Sequence, residues 1–394
     1  MSQDPVVIVA ARRTPIGAFQ GALAGATAID LGAAANRVAI ADAGIDPEHI
    51  DETIMGCVLP AGLGQAPARQ AAIAAGVPTH TAATTINKMC GSGMKAAMMA
   101  HDALMAGSAR VVLAGGLESM SNAPYLLPKA REGYRMGHQQ TLDHMFYDGL
   151  QSPFDGNMMG HFAELTADKY SFTREAQDEF ATASVQRSLH AIESGAFDAE
   201  VTPVEVTVRR KTHTVSRDED PFNCDIEKIP TMRPAFRRDG GTVTAASSSS
   251  ISDGAASLVM TRESTANELG LTPIARVCGH ATHAHAPEWF TTAPVTATAN
   301  LLEKLGWTVD NVDLFEVNEA FAVVSMATMH DLKIDHDKIN VNGGACALGH
   351  PVGATGARIM TTLIHALRHR KLTRGVASLC IGGGEATAIG LELV

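Results

Sequence analysis

Three segments from the first half of this chain return in its second half, in the same order. "IDETIMGCV", "TINKMCGSG" and "ARVVLAGGLES" are answered by "VDLFEVNEA", "KINVNGGACALG" and "GVASLCIGGGEA". Each trio runs through a short Val/Ile/Leu-rich strand, a glycine-rich turn, an Ala/Met/Leu helix and another apolar strand ending in glycines, which is the βαβ grammar of α/β folds. The repetition predicts two similar α/β domains packed together. The helix after Cys90, "GMKAAMMAHDALMAG", sets Met94, Ala97, Met98 and Met105 at near-helical spacing and stops at Gly107. Its counterpart is "GATGARIMTTLIHALRH". Both are so rich in small and apolar residues that they are expected between layers, with the methionines as core.

The pattern breaks from Glu118 to Thr244, where prolines, methionines, histidines and charges mix. A helix is expected there from Thr173, its N-cap, to a stop at Gly195. The segment reads as an insertion into the first domain, and long loops inside compact enzymes are usually binding elements. The expected division is 1–117 with 245–270, the insert 118–244, and 271–394. The serine run "AASSSSISDGA" is too short for a disordered tract and reads as a tight polar turn.

A chain of 394 residues, 45% hydrophobic and 19% charged, has enough apolar material for such an architecture. The formal net charge is −11, and Arg209, Arg210 and Lys211 form the densest basic run, so nucleic acid is not an expected partner. The order of charges around the N-terminal apolar run is wrong for a secretory signal, and no apolar stretch approaches the ~18 residues of a membrane span. A cytoplasmic protein without a membrane partner is expected. Cys57, Cys90, Cys224, Cys278, Cys346 and Cys380 form no CxxC pair and no disulfide framework.

Any special cysteine is therefore special for reactivity. In "NKMCGSGMKA", Cys90 stands in a glycine-rich turn at a predicted helix start, where backbone N–H groups and the helix dipole would lower a thiol pKa from about 8.5. A small buried hydrophobe is the competing reading. His350 lies in "NGGACALGHPVGATGAR", a turn so crowded with glycine that backbone can approach a ligand closely. If the halves face each other, Cys90 and His350 form the minimal activated nucleophile. Cys380 ends a predicted strand, at the edge where α/β folds place ligands, with a buried strand cysteine as its other reading. In "EVNEAFA", Asn318 and Glu319 sit among apolar residues, which implies a fixed hydrogen-bonding role for Asn318. The "HATHAH" histidines, His280, His283 and His285, lack a recognised metal-ligand spacing and are expected as surface or loop residues, so no metal is expected.

Taken together, "NKMCGSGMKA", "EVNEAFA", "NVNGGACALGHPVGATGAR" and "CIGGG", in this order, resemble the thiolase family over essentially the whole chain. The resemblance implies a duplicated five-layer α/β/α/β/α fold, with the insert as a loop domain that holds coenzyme A, and commonly a homotetramer. It implies CoA-dependent thiolysis of a 3-oxoacyl-CoA and the reverse Claisen condensation of two acetyl-CoA. Coenzyme A is then a substrate and product, and no cofactor is implied. By position, Cys90 would carry the acyl group, His350 would activate it and Cys380 would move the α-proton. Asn318, through a water, and His350 would form one oxyanion hole, and the N–H groups of Cys90 and Gly382 the other. Met158 and Met159 would pack on the pantetheine, Ser249 would face its amides, and Phe321 would close the site. The sequence departs from the family pattern at Met158, at Ala246-Ser247, at Phe222 near the CoA phosphate, and at Glu385 just past "CIGGG". Trp289 and Phe290 replace smaller residues beside the acyl pocket, which fits a short chain such as acetoacetyl. A thiolase of broader chain length, a decarboxylating or HMG-type condensing enzyme, and a non-catalytic acyl-CoA carrier of the same shape are the alternatives.

Overall fold

Strands form where Val, Ile and Leu run together and most helices where Ala recurs, in a computed structural model that describes residues 4–394. The first half comprises β1 (Val6–Arg13), α1 (Ala28–Ala43), β2 (Glu52–Gly56), α2 (Pro67–Ala74), β3 (Ala82–Ile86), α3 (Ser92–Ala106) and β4 (Val111–Ser119). The chain then leaves the sheet for a long excursion that contains α4 (Met159–Tyr170) and α5 (Arg174–Glu193), and it re-enters at β5 (Ser252–Arg262). The second half holds β6 (Ala275–Ala284), α6 (Ala293–Leu305), β7 (Leu314–Val317), α7 (Ala322–Leu332), α8 (Thr355–Arg370), β8 (Arg374–Ile381) and β9 (Glu385–Leu393).

The strand pairings repeat as the sequence does. In the first half β2 lies parallel to β3 and β4, while β4 runs antiparallel to β5 and β5 to β1. In the second, β7 is parallel to β8, and β8–β9 and β9–β6 are antiparallel. Where the first half has β3, the second has only a parallel bridge from Ile339 to Phe315. The halves are not separate sheets. Val7 pairs with Arg276 and Ile8 with Ala275, which joins both into one sheet ordered β7-β8-β9-β6-β1-β5-β4-β2-β3.

This sheet wraps around α3 and α8, which touch strands of both halves, while α1 and α2 cover the outer face of the first half and α6 that of the second, with α7 packed on α6. The result is the α/β/α/β/α layering. The central helices explain the composition: every residue of α8 from Thr355 to Leu367 is buried, so it carries no solvated stripe. Met94, Ala97 and Met98 of α3 are buried as expected, each methionine contributing roughly 1.5–3 kcal/mol. Met105 is a correction. It lies on the last turn of α3 and faces outward, 38% exposed. Thr173 caps α5, its side chain accepting from Ala176 N–H. Among the described residues all cysteines are free, and no helix is long and apolar enough to cross a membrane.

Candidate active site

The turn that carries Cys90 joins β3 to α3 and is built by its own side chains. Asn87 Oδ1 accepts from Met89 N–H at 2.9 Å, and the Ser92 hydroxyl accepts from Lys88 N–H and donates to Met89 C=O. These bonds hold Met89 at φ 46°, a left-handed conformation that costs a non-glycine residue energy and that recurs at functional turns. Gly91 has a steric reason. A Cβ there would stand 2.4 Å from Ile381 Cδ1, so only glycine lets this turn meet the end of β8, where Cys380 lies. The Lys88 ammonium pairs with Glu385 of β9 across the same seam. Glu385 thus acquires a place: it ties the Cys90 turn to the second half.

His350 is buried in the loop before α8. Its backbone N–H donates to Ser250 C=O and to the Ser252 hydroxyl, and Nδ1 lies 2.6 Å from Thr355 Oγ1. The Thr355 hydroxyl donates its single proton to Pro351 C=O. It therefore accepts from His350 Nδ1–H, which leaves Nε2 with a lone pair. Asn318 Nδ2 lies 3.4 Å from that nitrogen, and Arg358 orients the amide by donating to Asn318 Oδ1 while it pairs with Glu316. Burial, and Arg358 secondarily, push His350 down to about 3, so it is a neutral base throughout the ordinary range.

A cavity of about 280 Å³ opens onto this seam. Cys90, His350, Gly382, Met158, Met159, Ser249, Phe290 and Phe321 are all among the residues that line it. Cys380 and Asn318 lie behind these residues, fully buried. Cys380 is close enough to Cys90 for one thiolate to oppose the other, and burial holds it well above the usual thiol range. The Cys90 sulfur receives the N–H of Gly382 and its own N–H, both of which favour the thiolate.

These donors do not win, and here the structure corrects the sequence. Cys90 lies ahead of the first turn of α3, whose N-cap is Gly91, and burial outweighs the two N–H groups, so the thiol is raised rather than lowered. Cys90 and His350 then rest as a neutral thiol and a neutral imidazole. The ultraviolet absorbance of thiolate, taken as wild type minus Cys90→Ala, is expected to stay near zero up to pH 9.0, the thiol's ordinary value. Thiolate absorbance already present at neutral pH would instead reveal a resting ion pair.

Other expectations also shift. Trp289 does not border the cavity; its ring lies 4.3 Å beneath the Lys169 ammonium, and Phe290 alone of the pair reaches the wall. The "CIGGG" glycines are required less by a ligand than by the β8–β9 turn. Gly383 and Gly384 have φ of +98° and +93°, whereas a Cβ on Gly382 would meet only Met159 Sδ, at an ordinary 3.4 Å. The "HATHAH" histidines lie on and beside β6, not in a loop. Strand alternation separates them: His280 reaches α3, while the His283 and His285 rings meet each other. Glu319 joins insert to second half, accepting from Ser184, Asn340 and Cys346 N–H. Sequence reasoning missed Glu118, fully buried at the end of β4 and pushed up to about 7 by burial. It accepts from Val58, Leu59 and Gly353 N–H and so locks the His350 loop to the first half. A lone charge in "VVLAGGLES" was the available signal.

A thiol, a neutral imidazole with its lone pair on Nε2, convergent N–H groups and a second buried thiol around one cavity are chemically equipped to pass an acyl group through a thioester. Comparison with known proteins agrees with that class. "Thiolase, N-terminal domain" matches residues 6–264 and "Thiolase, C-terminal domain" residues 271–393. An acetyl-CoA acetyltransferase of Escherichia coli is 50% identical over 98% of both chains, and one of Arabidopsis thaliana is 46% identical over 99% of this chain and 97% of its own. The crystal structure of the Bacillus anthracis acetyl-CoA acetyltransferase superposes with a TM-score of 0.96 at 42% identity, covering 99% of each chain. A thiolase of Ascaris suum in complex with coenzyme A superposes at 0.94 and 42% identity, covering 99% of this chain and 100% of its own. The chain belongs to the thiolase family.

Proposed function

We propose that this thiolase is an acetyl-CoA acetyltransferase that cleaves short 3-oxoacyl-CoA with coenzyme A and runs the reverse condensation of two acetyl-CoA. The observation that carries this reading is the single cavity at which Cys90, His350 and the Gly382 N–H converge, with Cys380 and Asn318 immediately behind them.

In thiolysis Cys90 gives its proton to His350 Nε2, and its sulfur attacks the 3-oxo carbon. The C2–C3 bond then breaks, the acyl group stays on Cys90, and the enolate of acetyl-CoA leaves. Protonated His350 faces the enolate oxygen, and Asn318, beside it, acts there through a water. An imidazolium so disfavoured by burial forms only beside an anion, which couples its charging to the reaction. Cys380, a neutral thiol at rest, protonates C2. Coenzyme A next gives its thiol proton to the Cys380 thiolate and attacks the acyl-Cys90 carbonyl, whose oxygen accepts from Cys90 and Gly382 N–H. Cys90 leaves as thiolate and recovers its proton from His350. Each hole donor is typically worth roughly 3 kcal/mol of barrier.

The insert 118–244 is the coenzyme A-holding domain in this reading, supported by Met158, Met159 and Phe236 on the cavity wall. The homotetramer enters the proposal through the family resemblance alone, and the cytoplasmic setting through the sequence pattern alone. Chain length follows from three rings. Phe290 packs edge-on against Phe321, and Phe321 against Phe236, and all three line a small cavity. Acetoacetyl-CoA is expected to turn over well and 3-oxo-octanoyl-CoA poorly, with Phe290→Ala narrowing the gap. Equal thiolysis of both thioesters by the wild type would place the chain among thiolases of broad chain length.

A further inference from the structure

His101 and Asp102, near the end of α3, and His280, on β6, point one ligand atom each at a common spot, all within 4.8 Å of one another. Asp102 Oδ1 lies 3.0 Å from His101 Nδ1 and 3.0 Å from His280 Nε2. The two imidazoles meet edge to face, with centroids 5.1 Å apart. The histidine side chains are only 19% and 15% exposed, whereas the carboxylate is 57% exposed, so one side of the group opens to solvent.

We propose that His101, Asp102 and His280 bind one divalent transition-metal ion of the Zn²⁺ type, with solvent as its fourth ligand. Two imidazole nitrogens and a carboxylate oxygen are a donor set suited to Zn²⁺, Co²⁺ or Ni²⁺ and poorly suited to Mg²⁺ or Ca²⁺, which take oxygen ligands. Tetrahedral zinc with bonds of about 2.0–2.1 Å sets its ligand atoms roughly 3.3 Å apart. The oxygen already lies close to that spacing from each nitrogen, and all three ligand atoms fall within 4.8 Å of one another. Binding requires no proton to be expelled from the protein. A neutral imidazole can present either ring nitrogen as a lone pair by holding its proton on the other, which is the form that binds a metal. Lys304 donates to His280 C=O rather than to the ring.

Such an ion would staple two parts of the fold that are distant in sequence. It joins the central helix that follows Cys90 to β6 of the second half, away from the cavity-lining residues. Because it binds the folded chain, it raises the unfolding temperature as its concentration rises.

The test is calorimetric titration of the tag-free protein with Zn²⁺ alone, beside Cys90→Ala, His280→Gln and Asp102→Asn, with folding checked by circular dichroism. The expected result is one Zn²⁺ per chain, retained in Cys90→Ala and weakened roughly 10–100-fold or more by each ligand substitution, the scale set by loss of even an outer-shell partner. Co²⁺ should give d–d bands without a thiolate charge-transfer band. No binding by the wild type, binding unchanged in both ligand variants, or binding lost in Cys90→Ala would each overturn the proposal.

Discussion

Replacing Cys90 by alanine is expected to lower CoA-dependent cleavage of acetoacetyl-CoA by a factor on the order of 10⁴–10⁶, the scale on which removal of a nucleophile acts in comparable enzymes. The loss comes from chemistry and not from folding. The turn around Cys90 is held by Asn87, Ser92 and the Lys88–Glu385 pair, none of which involves the thiol. Coenzyme A affinity should therefore stay within a few-fold of wild type, and the unfolding temperature should hardly move. Direct titration with coenzyme A beside steady-state kinetics checks both halves of this expectation. Residual turnover close to wild type would remove Cys90 from the mechanism.

Cys380→Ser separates the two halves of the reaction. The substitution keeps a small hydroxyl in the buried slot behind Cys90 but replaces a thiol with a far weaker acid. Carbon–carbon cleavage and condensation both need a proton moved at the α-carbon of a thioester, so each is expected to fall roughly 10²–10⁴-fold, the usual contribution of a positioned acid or base. Exchange of acetyl groups between acetyl-CoA and labelled coenzyme A should fall much less. The proton at stake there belongs to a free thiol, which ionises near about 8.5 without assistance. Equal losses in both assays would mean that Cys380 does not act at the α-carbon.

Much of this architecture was legible because each half repeats one pattern of strand, turn and helix. The central α3 and α8 betrayed themselves by small and apolar residues on most sides, and the cap of α5 by Thr173. The single sheet was not legible, since two residue pairs between β1 and β6 join the halves and nothing in either strand names its partner. At the site, motif positions pointed to the residues that meet at the cavity, but environments escaped the sequence. Whether Cys90 is raised or lowered depends on burial against two N–H groups, one of them contributed by Gly382 from the other half. The tautomer of His350 depends on where the Thr355 hydroxyl sends its proton. Trp289 looked like a pocket residue beside Phe290, yet the two neighbours point different ways, and Lys169 takes the indole face. Glu118 was a lone acid in an apolar strand, and only the approach of the Val58–Leu59 and Gly353 backbones gives it a role.

The central claim is that an acyl group rests on Cys90 between two thioesters. Mixing the protein with acetyl-CoA alone, quenching in acid and mapping the digested chain by mass spectrometry tests it most directly. The expected result is one acetyl group on the peptide that contains Cys90, lost when coenzyme A is added before the quench and absent in Cys90→Ala. An acetyl group on another residue, or none at all from a chain that still cleaves acetoacetyl-CoA, would contradict it.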